Sequence, residues 1–151
     1  MFSGCTSLTE SPELPATELG NYCYSHMFEA SSLVNAPELP AEVVAPHCYE
    51  HMFFNCESLV NPPSVLPCTD LSTSSDNVHN GCYESMFEGC TSLTYTPELE
   101  ALYLERACYR AMFKGCTSLT TPAVFKNQTL TNGISFAVNC YTEMYSGCTS
   151  L

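Results

Sequence analysis

"CYESMFEGCTSL", residues 82–93, places two cysteines eight positions apart around a Met-Phe pair. Nearly the same words return along the chain. Met-aromatic pairs stand at Met1-Phe2, Met27-Phe28, Met52-Phe53, Met86-Phe87, Met112-Phe113 and Met144-Tyr145, and they use all six methionines. Their spacings are 26, 25, 34, 26 and 32 residues, so a unit of about 26 carries two insertions. Such a period falls in the range of leucine-rich solenoids, whose units bury their apolar faces on one another. The chain opens at "MFSGCTSL" and closes at "YSGCTSL", the same point of the unit, so residues 1–151 read as one repeat domain of about five units cut mid-repeat at both ends. With no polar cap at either end, a segment of a longer protein is expected.

Within a unit, the first Cys, Tyr, Met, Phe and second Cys fall at about 0°, 100°, 40°, 140° and 80° when plotted at roughly 100° per residue. The positions between them hold Ser25, Glu50, Glu84, Arg110 and Thr142, then Glu29, Phe54, Glu88, Lys114 and Ser146. This is the pattern of a short amphipathic helix. Gly89, Gly115 and Gly147 just before the second cysteine suit its left-handed end. The "TSLT" and "PELP" words that follow suit an extended segment and a turn, and Pro12, Pro37, Pro97 and Pro122 forbid a long ladder there. The expected fold is an α/β repeat solenoid of short strands, turns and short helices.

The chain carries 16 acidic and 4 basic residues, a net charge of −12, and 45% of its residues are hydrophobic. That apolar content supports a packed core, whereas the missing Lys/Arg cluster argues against nucleic acid and anionic membranes as partners. No apolar run of membrane-spanning length occurs, and the first residues lack the basic and apolar regions of a secretory signal.

The word CYxxMFxGCTSLTxxPELPAT, carried by Cys23-Tyr24, Met27-Phe28 and "PELPA" at 37–41 and again by residues 82–99 and 108–122, resembles the BspA-like leucine-rich repeats of bacterial cell-surface proteins. The resemblance implies a right-handed superhelix, a cell-surface or secreted location, and adhesion to host proteins or other cells. Two departures stand out. "FEASSL" at 28–33 is one residue short and puts Ala30 where cysteine is expected, and two units carry insertions near 64–80 and 123–137.

Eleven cysteines require an account. Five belong to "CY" (Cys23, Cys48, Cys82, Cys108, Cys140), five follow the Met-aromatic pair (Cys5, Cys56, Cys90, Cys116, Cys148), and Cys68 sits alone in an insertion. Helical cysteines eight apart are separated by about 12 Å, and packed helices by roughly 8–10 Å, both too long for a disulfide, although strands about 4.8 Å apart permit one. Buried free thiols acting as small apolar knobs are the expectation. Cys23 with His26 and Cys48 with His51 make two C-x-x-H words beside His47, but other units place Ser85, Ala111 and Glu143 at the histidine position, off the cysteine-bearing arc. Converging metal ligands are therefore not expected, and no cofactor is assigned. A thiol nucleophile needs a nearby base and an electropositive setting, and no Gly-rich phosphate loop or G-x-S-x-G word occurs, so the chain reads as non-enzymatic.

The insertions are the candidate place for function, because solenoids accept extra residues on one edge and often bind there, and neutral variation at that tolerant edge is the alternative. The intervals Pro63–Cys82 and Pro122–Cys140 are 19 and 18 residues, against 11 for Pro12–Cys23 and Pro97–Cys108. The second insertion holds an Asn-Gly turn suited to a hairpin and an Asn-Gln-Thr glycosylation word. Asp70, Asp76, His79, Lys126 and Asn127 are the candidate binding residues, for a protein or glycan partner. The alternative is a structural spacer that holds another domain away from the cell surface.

Overall fold

The computed structural model describes residues 1–71, 81–125 and 139–151. Each unit runs as a ribbon of turns from the "CY" word to the second cysteine, bends through "TSL", and returns through the proline word as an extended segment. Strand pairing there is brief: β1 (Val65–Leu66) lies parallel to β2 (Glu98–Leu99), with Leu66 opposite Leu99. Single parallel bridges join Glu18 to Val43, Asn35 to Asn61, Asp70 to Tyr103 and Leu99 to Phe125. Prolines flanking these points deny the ladder its further donors.

The expected helices do not form; among the described residues there is no α-helix. Every fourth ribbon residue instead has a positive φ: His47, His51 and Asn55 at 58°, 54° and 57°, then Gly81, Ser85 and Gly89 at 45°, 51° and 78°. Each such residue resets the chain direction, so the repeat within the ribbon is four residues rather than 3.6. The apolar positions of "CYxxMFxGC" then fall into register on one side without drift.

Hydrogen bonding explains why this arrangement is stable. Alternate amides bond within the ribbon three residues back: Cys48, Glu50, Met52, Phe54 and Cys56 donate to Ala45, His47, Tyr49, His51 and Phe53. The amides between them donate to the next unit: Tyr49, His51, Phe53 and Asn55 to the carbonyls of Cys82, Glu84, Met86 and Glu88, at 2.8–3.0 Å. An α-helix would spend its amides internally and keep its neighbour at roughly 8–10 Å. Here the units meet backbone to backbone, and the polar groups of the inner ribbons are satisfied.

That close spacing stacks like residues into columns. Phe2, Phe28, Phe53, Phe87, Phe113 and Tyr145 follow one another with ring centroids 5.4–5.7 Å apart. A second column runs through Tyr24, Tyr49, Tyr83, Tyr109 and Tyr141 at 5.5–6.0 Å. The core lies between ribbon and extended segment, closed by Leu33, Leu59, Leu93 and Leu119 of the "SL" words and Leu14, Leu39, Leu66 and Leu99 of the proline words.

Two further expectations change. Ala30 takes the place of Gly89, not of a cysteine: its φ is 52° and its amide donates to Phe54 of the next unit, as Gly89 donates to Lys114. Ser31 takes the cysteine position, buried, with its amide on Phe28 as that of Cys90 is on Phe87. The missing residue therefore falls after Ser31. Cys68 does not stand in an irregular insertion. The register of Leu66 with Leu99 and of Asp70 with Tyr103 sets it opposite Ala101, buried in the core with its thiol donating to the Asp70 carbonyl at 3.3 Å.

Candidate functional site

The outward side of the ribbons carries the ionisable residues. Their third, fourth and seventh positions, counted from the first cysteine, hold Ser25, His26 and Glu29; Glu50, His51 and Phe54; Glu84, Ser85 and Glu88; Arg110, Ala111 and Lys114; Thr142, Glu143 and Ser146. Because equivalent positions stack, charges meet across units. Arg110 donates to Glu84 at 2.8 Å, and Lys114 bridges Glu143 at 2.7 Å and Glu88 at 3.8 Å. The Glu143 carboxylate beside it holds the Lys114 ammonium above its usual range, and Lys114 in turn holds Glu143 below the usual carboxylate range. Both side chains face solvent, where such pairs are screened.

Three of the four histidines gather at the other end of this surface. His26 and His51 lie at equivalent positions of adjacent units, and their rings stack at 4.8 Å with planes 4° apart. Tyr22 stacks on His47 in the same way at 4.9 Å. Glu29 approaches His26 Nδ1 at 2.9 Å, while Glu50 lies 3.3 Å from His47 Nδ1 and 3.8 Å from His51 Nδ1. His47 fits because its neighbour in the column is Gly81; a Cβ there would stand 2.9 Å from the imidazole. One ligand-capable atom each of His26, Glu50 and His51 lies within 4.8 Å of the others. The sequence words place the histidines off the cysteine arc, and that outward position is where they converge. The missing signal was the distance between units, since only backbone spacing brings two such rings together. Imidazole nitrogens sharing a tetrahedral ion with bonds of about 2.0–2.1 Å stand roughly 3.3 Å apart, and the ion lies in each ring plane. The parallel rings would have to turn to share one.

Of the candidate binding residues at the insertions, Asp70 is exposed and bridged to Tyr103 at the end of the extended segment. Asp76, His79, Lys126 and Asn127, with the Asn-Gly hairpin, lie outside the described residues. On the extended side, Pro12, Pro15, Pro37 and Pro40 line a groove of about 330 Å³ with Glu13 and Glu38. Glu38 is tied into the next unit, accepting from the Ser64 hydroxyl at 2.8 Å.

The cysteines divide into two columns with different chemistry. In the second column the thiols of Cys56, Cys90, Cys116 and Cys148 donate to the carbonyls of Phe28, Phe53, Phe87 and Phe113 in the preceding units, at 3.0–3.1 Å. Ser31 donates its hydroxyl to Cys56 Sγ at 3.4 Å, since the Cys56 thiol proton is already engaged. Burial pushes the Cys116 thiol up to about 12 and raises Cys56 and Cys90 as well. These thiols are donors as well as apolar filler, and none is poised as a nucleophile. In the first column Cys48 and Cys82 place their sulfurs 3.1 Å apart, and Cys108 and Cys140 place theirs 2.7 Å apart. The separation expected for packed helices is thus replaced by sulfur contact.

Among the described residues no helix is long and apolar enough to cross a membrane. Comparison with protein families, curated proteins and solved structures gives no match.

Proposed function

We propose that this chain is a non-enzymatic recognition or adhesion module of a bacterial cell-surface or secreted protein, built as a BspA-like, leucine-rich-repeat-like solenoid. The observation that supports it is the division of labour within the unit. Inward positions repeat as Cys, Tyr, Met and Phe and stack into columns, while outward positions vary among Glu, His, Ser, Ala, Arg, Lys, Thr and Phe. A framework whose amides and core are provided for by its own repetition leaves exposed outward side chains such as His26, Thr142 and Glu143 to be chosen for a partner, while Glu84, Ser85 and Ala111 are buried within the stack. With a net charge of −12, the fitting partner is a protein with a basic patch or a glycan bound through many modest contacts.

Binding of the immobilised chain to extracellular matrix proteins and to a glycan array tests this reading. Wild type is compared with a chain lacking residues 72–80 and with a double charge reversal, Arg110→Glu with Lys114→Glu. A partner whose retention falls with added salt and changes at least severalfold in one of the two variants supports recognition. A well-folded chain that retains nothing across both panels sinks it and favours the spacer reading. The end-to-end ladder of inter-unit bonds suits that alternative equally well mechanically.

A further inference from the structure

The first-column thiols stand apart from the second in what they touch. Second-column thiols point at carbonyls, whereas Cys108 and Cys140 point at each other, sulfurs 2.7 Å apart and both buried. Their backbones belong to adjacent units joined at that place by the Tyr109 amide on the Cys140 carbonyl at 3.1 Å. One unit spacing of about 4.8 Å falls within the roughly 4.4–6.8 Å that disulfide-linked Cα atoms span. At such a spacing closure is a matter of side-chain rotation more than of ribbon movement.

We propose that Cys108 and Cys140 form a redox site, a thiol pair that a small disulfide oxidises to a covalent link between adjacent units. Either sulfur can donate in this contact, and a Cys140 thiolate that accepts from the Cys108 S–H is held below the ordinary thiol value against the opposing effect of burial. Burial, with that same bond, drives the Cys108 thiol up. Cys140 keeps a trace of exposure, 3% against 0% for Cys108, and so is placed as the first to meet the oxidant. The Cys140 thiolate attacks one sulfur of the small disulfide, whose S–S bond breaks and releases one small thiol that takes up a proton. Cys108 then loses its proton and attacks Cys140 Sγ, the mixed disulfide breaks, and the second small thiol leaves. Two electrons pass from the protein sulfurs to the oxidant, and two protons end on its two halves. Cys108 and Cys140 are 0% and 3% exposed, so attack requires local opening; burial slows the exchange without altering the end state. Cys48 and Cys82 stand in the same relation, at 3.1 Å.

The full chain, equilibrated natively in graded ratios of oxidised to reduced glutathione, acid-quenched, alkylated in denaturant and digested with trypsin, gives the test. Cleavage after Arg106 and Arg110 isolates Cys108 in residues 107–110, and Cys140 lies in the fragment that begins after Lys126. The expected result is a reductant-sensitive link between these two fragments, assigned to Cys140 by fragmentation and retained in Cys148→Ser. In Cys108→Ser, Cys140 is expected to accumulate as a glutathione mixed disulfide, while in Cys140→Ser the Cys108 thiol stays reduced. No link at any ratio, while the exposed Cys5 and Cys23 become glutathionylated in the same samples, overturns the site. A wild-type link from Cys108 to any other cysteine overturns it too. Trapping at Cys108 in Cys140→Ser instead of at Cys140 in Cys108→Ser overturns the order of attack.

Discussion

Cys90 shows what a single position contributes. Its side chain is fully buried and its S–H donates to the Phe53 carbonyl at 3.1 Å, a carbonyl that also accepts the Cys56 amide. Replacing it by alanine removes both packing volume and that donor, and a typical buried hydrogen bond contributes about 0.5–1.5 kcal/mol net. Serine keeps a donor on a side chain of similar reach, and Ser31 already occupies the equivalent place two units earlier in the stack, with its hydroxyl on Cys56 Sγ. Cys90→Ser is expected to retain more stability than Cys90→Ala, with the alanine variant lower by about 1–2 kcal/mol than wild type. Urea denaturation of the three proteins under reductant checks this; an alanine variant more stable than the serine one would mean that the thiol is apolar filler alone. At this scale the pattern predicts buried thiols and eight cysteines are buried, whereas Cys5 and Cys23 are exposed and Cys148 is half-buried, all three in the first or last units of the stack. The thiol hydrogen bonds do not follow from the pattern, because the acceptor belongs to a residue 25 or more positions away whose distance the pattern does not encode.

The ribbon is where local pattern and structure part. Apolar residues at the first, second, fifth, sixth and ninth places fit a four-residue period and, over so short a span, fit a helical face almost as well. The column that separates the two is the one before each apolar pair, which holds His47, His51, Asn55, Gly81, Ser85, Gly89, Ala107, Ala111, Gly115, Asn139, Glu143 and Gly147. Asn, Gly and His are the residues that enter the left-handed region most readily, so this column carries a legible, if diluted, signal for the turn ribbon. The proline words were more explicit, and the short bridges they permit are those observed. Ala111 converts the difference into an experiment. Its φ is 51°, where a side chain with a Cβ costs roughly 1–2 kcal/mol relative to the right-handed region. Ala111→Gly removes that strain and loses about 0.5–1 kcal/mol to the greater freedom of the unfolded glycine chain. The net expectation is a change between neutral and about 1.5 kcal/mol stabilising, whereas the same substitution inside a helix destabilises by about 1 kcal/mol. The sign of the shift in urea midpoint decides between the two.

Across the whole molecule, one consequence of stacking is that phenols and thiols are sealed in rows with few compensating cations. Burial raises Tyr49, Tyr83 and Tyr109 above the usual tyrosine range, with neighbouring thiols adding to the effect. It likewise raises Cys56, Cys82 and Cys90, and pushes Cys116 up to about 12; Cys140 alone among the shifted buried thiols moves down. Groups with raised native values contribute stability that is intact below their unfolded values, about 8.5 for a thiol and 10 for a phenol. As pH climbs past those points the unfolded chain releases protons that the folded chain still holds, and stability falls until the native values are reached. For Cys116 that window runs from the ordinary thiol range to about 12. The lowered Cys140 opposes this with one group against many. The urea midpoint in reductant is therefore expected to show no alkaline loss up to about pH 8, then to drop with a slope of more than one proton. A midpoint that holds steady up to about pH 11 would mean that the rows admit water, and the closed columns on which both the fold and the thiol pair depend would have to be abandoned.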